Sequence, residues 1–395
     1  MRQDLYNIEG KLAKELQKIG SLGEPNSSLL FDFKERYCLK NKLTATRTLK
    51  LLNTLRNIVA ILNKPLNSIS EKDFEQMNLA TAKKGFSRNT INDYKTVCKI
   101  WLRFLGEKEN WELLHSKELK DIKSTNGEDE LDPDSLPSDE EVLQLFNVLN
   151  PKYRAFLALL EGAGLRCSEA ALLRRQNVHF EEDRSLTINY IGKTGRNSIK
   201  IHAGLAHYVL EWFNQSPFRE DSDPLFSKPN RNLFMSYQSL RKQLMVGAKK
   251  IGILGKRKVN PHIFRHRHAT WALLNMPPVL AKKRIWNNSS TDMDRIYGHF
   301  TKQQENDAYA AATGQTKSVK KQSVLSQRVC FKCQNIFPPT AEVCSRCNIY
   351  LDPQKISEEL QKKRNFEEEI AELKADMEKI LVFLAKDKRF GVDNT

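Results

Sequence analysis

The chain has 395 residues, 64 of them Lys or Arg and 48 Asp or Glu, which gives a formal net charge of +16. That excess calls for a polyanionic partner, and nucleic acid is favoured over a membrane because no stretch reaches the roughly 18 apolar residues of a span. The opening "MRQDLYNIEGKLAK" lacks the apolar block of a secretory signal, so a cytoplasmic protein of two or three domains is expected.

Residues 1–27 read as a lead-in helix, with Leu5, Ile8, Leu12, Leu16 and Ile19 at helical spacing before the break "GSLGEPNSS". Residues 28–115 form a helical domain in which "TATRTLKLLNTLRNIVAILN" and "SRNTINDYKTVCKIWLRFLGE" carry apolar positions three and four apart. Ser70 is the expected N-cap of another of its helices. Its lysines and arginines are either a nucleic-acid surface or simply solvated faces. Residues 116–136, rich in Pro, Asp, Ser and Gly, read as a linker.

Residues 137–315 form the larger domain, opening with a helix capped by Ser138. Within it Leu186, Ile188 and Tyr190 alternate, then Ile199 and Ile201, around a basic turn. That is a β-hairpin in an otherwise helical domain. Residues 328–352 carry Cys330, Cys333, Cys344 and Cys347 as C-x2-C-x10-C-x2-C. Two such pairs supply four thiolates for one closed tetrahedral zinc site, and the segment resembles a zinc ribbon. Redox pairs are the alternative. Residues 355–386 form a charged helix with Phe366, Ile370, Leu373, Met377, Ile380 and Leu384 alternating four and three apart. This is a short coiled-coil seam, or a helix packed on the body. The fold class is mainly α with a small β-hairpin or sheet, followed by the ribbon and a C-terminal helix.

A series of chemically capable groups runs through the larger domain. Arg166 lies in "GLRCSEAALL", three residues before Glu169. Taken alone, it is a structural salt bridge or a solvated helix-end arginine. Lys193 follows in the hairpin turn, and "PHIFRHRHAT" sets His262 and Arg265 on one helical face. His299 stands in "RIYGHF" and Tyr309 ten residues later in "NDAYAAA". This order resembles the catalytic domain of the tyrosine recombinases, the phage-integrase and Xer class, over roughly residues 137–314. The helical domain before it is similar in position and size to that family's core-binding domain. The ribbon behind it suggests the archaeal integrase-like members. Two features depart from the family pattern. The stretch "PPVLAKKRIWNNSSTDMDRI" fits the usual helix–loop–helix poorly, and Tyr297 precedes the Gly-His where Leu is common.

The resemblance implies a mechanism. Tyr309 attacks the scissile phosphate and leaves a 3′-phosphotyrosyl link and a free 5′-hydroxyl, so the bond energy is retained and no ATP is needed. Arg166 and Arg265 clamp the phosphate, since a planar guanidinium offers paired donors and stays charged. His262 takes the tyrosine proton or holds a phosphate oxygen, and His299 donates another hydrogen bond. Lys193 protonates the departing 5′-oxygen, and Glu169 orients Arg166. No catalytic metal is required; the one expected cofactor is structural zinc on the cysteines. The expected partners are double-stranded DNA and further copies of the chain, assembled as a tetramer on it.

Alternatives stand beside several of these roles. Lys193 can be a mere phosphate contact, with Lys200 the acid instead. His262, His266 and His268 can ligate a metal together, although Arg265 on that face opposes a cation. Tyr309 can be a core tyrosine with Tyr297 the nucleophile. The whole scaffold can serve as a non-catalytic DNA-binding accessory or regulator.

Overall fold

The computed structural model describes residues 5–106, 108–122, 131–192, 195–313 and 323–386. These fall into two units, Met1–Leu131 and Asp132–Thr395.

The first unit is built of helices α1 (Ile8–Gly20), α2 (Asn26–Asp32), α3 (Ala45–Leu62), α4 (Glu71–Lys83), α5 (Arg88–Leu105) and α6 (Lys108–Leu114). Helices α3, α4 and α5 each begin where a hydroxyl can take up free backbone N–H groups. Thr44 Oγ1 accepts from Arg47 N, Ser87 Oγ from Thr90 N, and Ser70 with Asp73 forms a capping box ahead of α4. The apolar stripes converge on Leu51, Leu55, Ile58, Phe74 and Trp101, all buried. Helix α1 joins this core through Leu12, Leu16 and Ile19. Its buried Glu15 is ion-paired with Arg56, so the charge is not left alone in the interior.

In the second unit, α7 (Asp139–Val148) starts at a capping box of Ser138 and Glu141. Helix α8 (Pro151–Ala163) follows, buried from Ala155 to Leu160. The five-residue α9 (Cys167–Ala171) leads to an antiparallel sheet of β1 (Val178–Phe180), β2 (Leu186–Gly192) and β3 (Gly195–Ile201). Leu186 pairs with Ile201 and Gly192 with Gly195, which turns Leu186, Ile188, Ile199 and Ile201 onto the buried face. Helix α10 (Ala203–Gln215) packs on α8, and a second hairpin, β4 (Ser227–Lys228) and β5 (Arg231–Phe234), precedes α11 (Tyr237–Lys250). Then come α12 (Pro261–Asn275), packed on α8, α13 (Pro278–Trp286), α14 (Asp294–Tyr297) and α15 (Lys302–Ala312). The stretch that fitted a helix–loop–helix poorly therefore does form two helices. Pro278 starts α13, Asn287 in the left-handed region ends it, and α14 is a single turn.

The cysteine segment adds β6 (Arg328–Val329) and β7 (Ile336–Phe337) and rests on α10, where the Tyr208 hydroxyl lies 2.8 Å from Thr340 Oγ1. Helix α16 (Pro353–Lys386) follows, held at its start by Lys355 pairing with Glu342. From Ser357 to Leu384 every residue is exposed, so the helix does not pack on the body. No described helix is long and apolar enough to cross a membrane.

Candidate active site

The turn that delivers Arg166 admits only glycine at its first position. Gly164 ends α8 at φ 60, where a side chain is strained, and a Cβ there would lie 2.6 Å from His268 Cδ2. The chain then buries Leu165, runs extended through Arg166 and enters α9. The Glu169 carboxylate accepts from Arg166 N and from Arg166 Nη1, both at 2.7 Å. Glu169 is 5% exposed and Arg166 32%, so a buried acid holds an arginine whose outer edge still faces solvent. Gly192, at the base of the hairpin tip, approaches the same carboxylate: a Cβ there would sit 3.0 Å from Glu169 Oε1. The arginine turn and the end of β2 thus share one neighbourhood.

Helix α12 supplies the next groups. Asn260 caps it, Oδ1 accepting from His262 N and Ile263 N, with Pro261 in the first turn. Spacings of three and four bring His262, Arg265 and His266 to one side. Arg265 is 1% exposed; its Nη1 donates to Gly164 O and its Nη2 to Ile285 O, the latter at 2.8 Å. Its Nε is buried without a partner among the described residues. Burial first, and then the neighbouring Arg166, push the Arg265 pKa below its ordinary value. A dehydrated guanidinium beside a second one and with a spare donor favours an anion between them. His262 is held below its ordinary pKa by partial burial and then by Arg265 and Arg166, which favours a neutral ring able to take a proton.

Tyr297, in α14, closes this cluster from the other side. Its hydroxyl is 3.2 Å from His262 Nε2, and its ring stacks on His266 at 4.3 Å and 14°. His266 Nδ1 in turn lies 2.9 Å from His299 Nε2. Burial and its histidine neighbours bring His266 down to about 3, which favours its neutral ring. His268 points elsewhere: Nδ1 lies 2.8 Å from Glu161 O, and Nε2 accepts from Arg284 Nε at 3.3 Å. Both its nitrogens are occupied, which removes it from any three-histidine metal site.

Residues 138–304 match the phage integrase family. Tyrosine recombinase XerA of Thermococcus onnurineus is 28% identical over 226 residues, 55% of this chain and 73% of that protein. XerA of Pyrococcus furiosus is 28% identical over 265 residues, 64% of this chain and 85% of that one. Residues 138–304 are thus a phage integrase domain, and the chain is similar to the Xer tyrosine recombinases. Among solved structures, the XerH site-specific recombinase in its post-cleavage complex with palindromic difH substrate aligns at TM-score 0.55 and 18% identity. That alignment spans 79% of this chain and 98% of that one, and at such identity it speaks for the fold.

The matched region of this chain holds Arg166, Glu169, His262, Arg265 and His299 and stops short of Tyr309. Tyr309 lies on α15 and is 66% exposed. Among the described residues no hydrogen bond or ring contact joins it to the cluster. Tyr297, by contrast, is 6% exposed and sits inside the cluster. Lys193 lies outside the described residues. Lys200, weighed as its substitute, is paired with Asp183 at 2.8 Å. Sequence reasoning gave Tyr190 no part in the site. Yet its phenol lies in the field of Glu169, Arg265 and Arg166, and burial first and Glu169 next push its pKa up. Its alternation with Leu186 and Ile188 was the available signal.

Away from this site, the Sγ atoms of Cys330, Cys333, Cys344 and Cys347 lie within 4.8 Å of one another, with Cys333 and Cys344 3.7 Å apart. A tetrahedral zinc with bonds of about 2.3 Å sets its sulfurs about 3.8 Å apart, so the four thiols fit that ion. The two turns repeat one geometry. Gln334 N donates to Cys330 O and Asn348 N to Cys344 O, each at 2.8 Å, with Gln334 and Asn348 both left-handed. Among the described residues this is the one His, Cys, Asp or Glu cluster with metal-binding geometry.

Proposed function

We propose that this chain breaks and rejoins duplex DNA site-specifically, with Tyr309 as the nucleophile. The Tyr309 oxygen forms a bond to the scissile phosphorus while the bond to the 5′-oxygen breaks; His262 takes the phenolic proton, and Lys193 returns one to the leaving oxygen. Attack by another 5′-hydroxyl reverses these steps, so neither ATP nor a divalent cation enters. The observation that carries this reading is the adjacency of Arg166 and Arg265 beside a neutral His262. Two guanidiniums there can hold the non-bridging oxygens and stabilise charge as it develops. Exposure of Tyr309 suits a nucleophile that meets its phosphate only on bound DNA.

Around this core, zinc on the four cysteines is structural, copies of the chain assemble as a tetramer on DNA, and the protein works in the cytoplasm. The test is a duplex nicked near the scissile phosphate, which traps the covalent intermediate. Wild-type protein should yield a protein–DNA adduct, and Tyr309→Phe none with DNA affinity kept. An undiminished adduct from Tyr309→Phe would move the nucleophile to Tyr297; no adduct from either would leave a DNA-binding accessory protein.

A further inference from the structure

We propose that α16 is a parallel two-stranded coiled coil formed with α16 of a second copy of this chain. The inference rests on the self-association proposed above and gives it a contact. Helix α16 runs for 34 residues, about 50 Å at 1.5 Å per residue, and the body covers none of it from Ser357 to Leu384. Phe366, Ile370, Leu373, Met377, Ile380 and Leu384 are all exposed. A lone helix in water is only marginally stable, and a continuous apolar stripe on it calls for a partner.

The spacing of the stripe names that partner. Steps of four and three put Phe366, Leu373 and Ile380 at d and Ile370, Met377 and Leu384 at a of a seven-residue repeat. Such a seam buries itself against an identical seam. Ile370 at a followed by Leu373 at d is the combination that favours two strands. The flanking charges set the direction. Glu369 falls at g and Lys374 at the following e, so in a parallel pair each Glu369 faces Lys374 of the other helix, twice by symmetry. An antiparallel pair would set g against g, and Glu369 and Asp376 there are both acidic. Leu381 and Phe383, also exposed, flank the seam at e and g and widen its apolar face near Leu384. Two strands join copies in pairs, so a tetramer on DNA would be two such pairs.

Sedimentation equilibrium of the full chain without DNA tests this. The wild type should weigh as a dimer at micromolar concentration, and Leu373→Asp as a monomer. Glu369→Lys should weaken the dimer about three- to tenfold, as expected for two exposed ion pairs. Adding Lys374→Glu to it should restore the affinity. Phe366→Cys and Ile380→Cys, each introduced alone and oxidised, should both cross-link above the wild-type background, since d meets d in a parallel pair. A wild-type monomer, a dimer untouched by Leu373→Asp, or cross-linking at no more than one of the two cysteines would overturn the proposal. None of these readings involves cleavage. Leu373→Asp should still form the covalent adduct on a nicked duplex, so failure here and failure of the recombinase chemistry are told apart.

Discussion

The hydroxyl of Tyr297 lies 3.2 Å from Nε2 of His262, inside a cluster where His262 also feels Arg265 and Arg166. A neutral His262 accepts a hydrogen bond from that hydroxyl and a protonated one donates to it, so the contact orients the ring in either state, while burial and the arginines favour the neutral form. Tyr297→Phe keeps the stack on His266 and removes only this contact. Cleavage should fall about three- to tenfold, the worth of one hydrogen bond, with the pH profile keeping its shape. Unchanged cleavage would make Tyr297 a packing residue. Complete loss of adduct, with Tyr309→Phe still active, would make it the nucleophile.

The Arg166 guanidinium is held by Glu169 through a single Nη1 contact, with its outer edge exposed. Arg166→Lys keeps the charge and loses the paired donors. Cleavage of the nicked duplex should drop by about a hundredfold or more, as for a lost transition-state donor. Filter-binding affinity should change little, because many dispersed phosphate contacts carry it. Equal losses in both assays would make Arg166 a structural residue.

Gly164 meets two constraints at once, φ 60 and the His268 ring where a Cβ would stand. Gly164→Ala should cost about 1–2 kcal/mol from the backbone alone, with further loss from the collision. A melting temperature lower by roughly 4–10 °C is expected. Because Arg166 hangs from this turn, cleavage should fall more than DNA binding does.

Much of this was legible in the sequence. The Ser70 and Ser138 caps, the Leu186–Ile201 hairpin and the cysteine spacing are local signals, and the structure forms each of them. The helical face of α12 was legible too, since spacing alone aligns His262 with Arg265. The Tyr297–His262 and His266–His299 contacts were not, because they depend on where the single-turn α14 crosses α12. One turn has no period to read. The β4–β5 hairpin escaped for a similar reason: Ser227–Phe234 is too short to alternate, and its turn relies on Asn230 at φ 56. Covering of α10 by the ribbon, through Tyr208 and Thr340, joins segments 132 residues apart.

His268 predicts a pH limit to stability. Burial first and Arg284 next bring its pKa to about 3, against an ordinary 6.5. A depressed folded pKa means the contribution is complete above about pH 6.5 and is lost as pH falls toward 3. Between pH 7 and 5 the unfolded ring gains a proton that the folded one refuses, at about 2 kcal/mol. Melting temperature should therefore fall over that interval. His268→Asn, whose amide can still donate to Glu161 O, should start lower and fall less. Parallel curves for the two proteins would remove His268 as the cause.

The cysteine cluster and the phosphate site should respond oppositely to chelation. Four thiols at tetrahedral spacing fit one zinc, and so small a segment lacks a core large enough to fold without it. Elemental analysis should find about one zinc per chain, lost in the Cys330→Ser, Cys344→Ser double variant. That variant should also lose the seat of the ribbon on α10, read as proteolytic cleavage between β6 and β7 that the wild type resists. The proposed cleavage draws its positive charge from Arg166 and Arg265, where a two-metal nuclease uses Mg²⁺. Brief EDTA, short enough to leave the zinc in place, should leave adduct formation intact, and the double serine variant should still cleave a pre-nicked duplex. Immediate loss of cleavage in EDTA, restored by Mg²⁺, would refute the arginine clamp and return His262 and His266 to consideration as metal ligands.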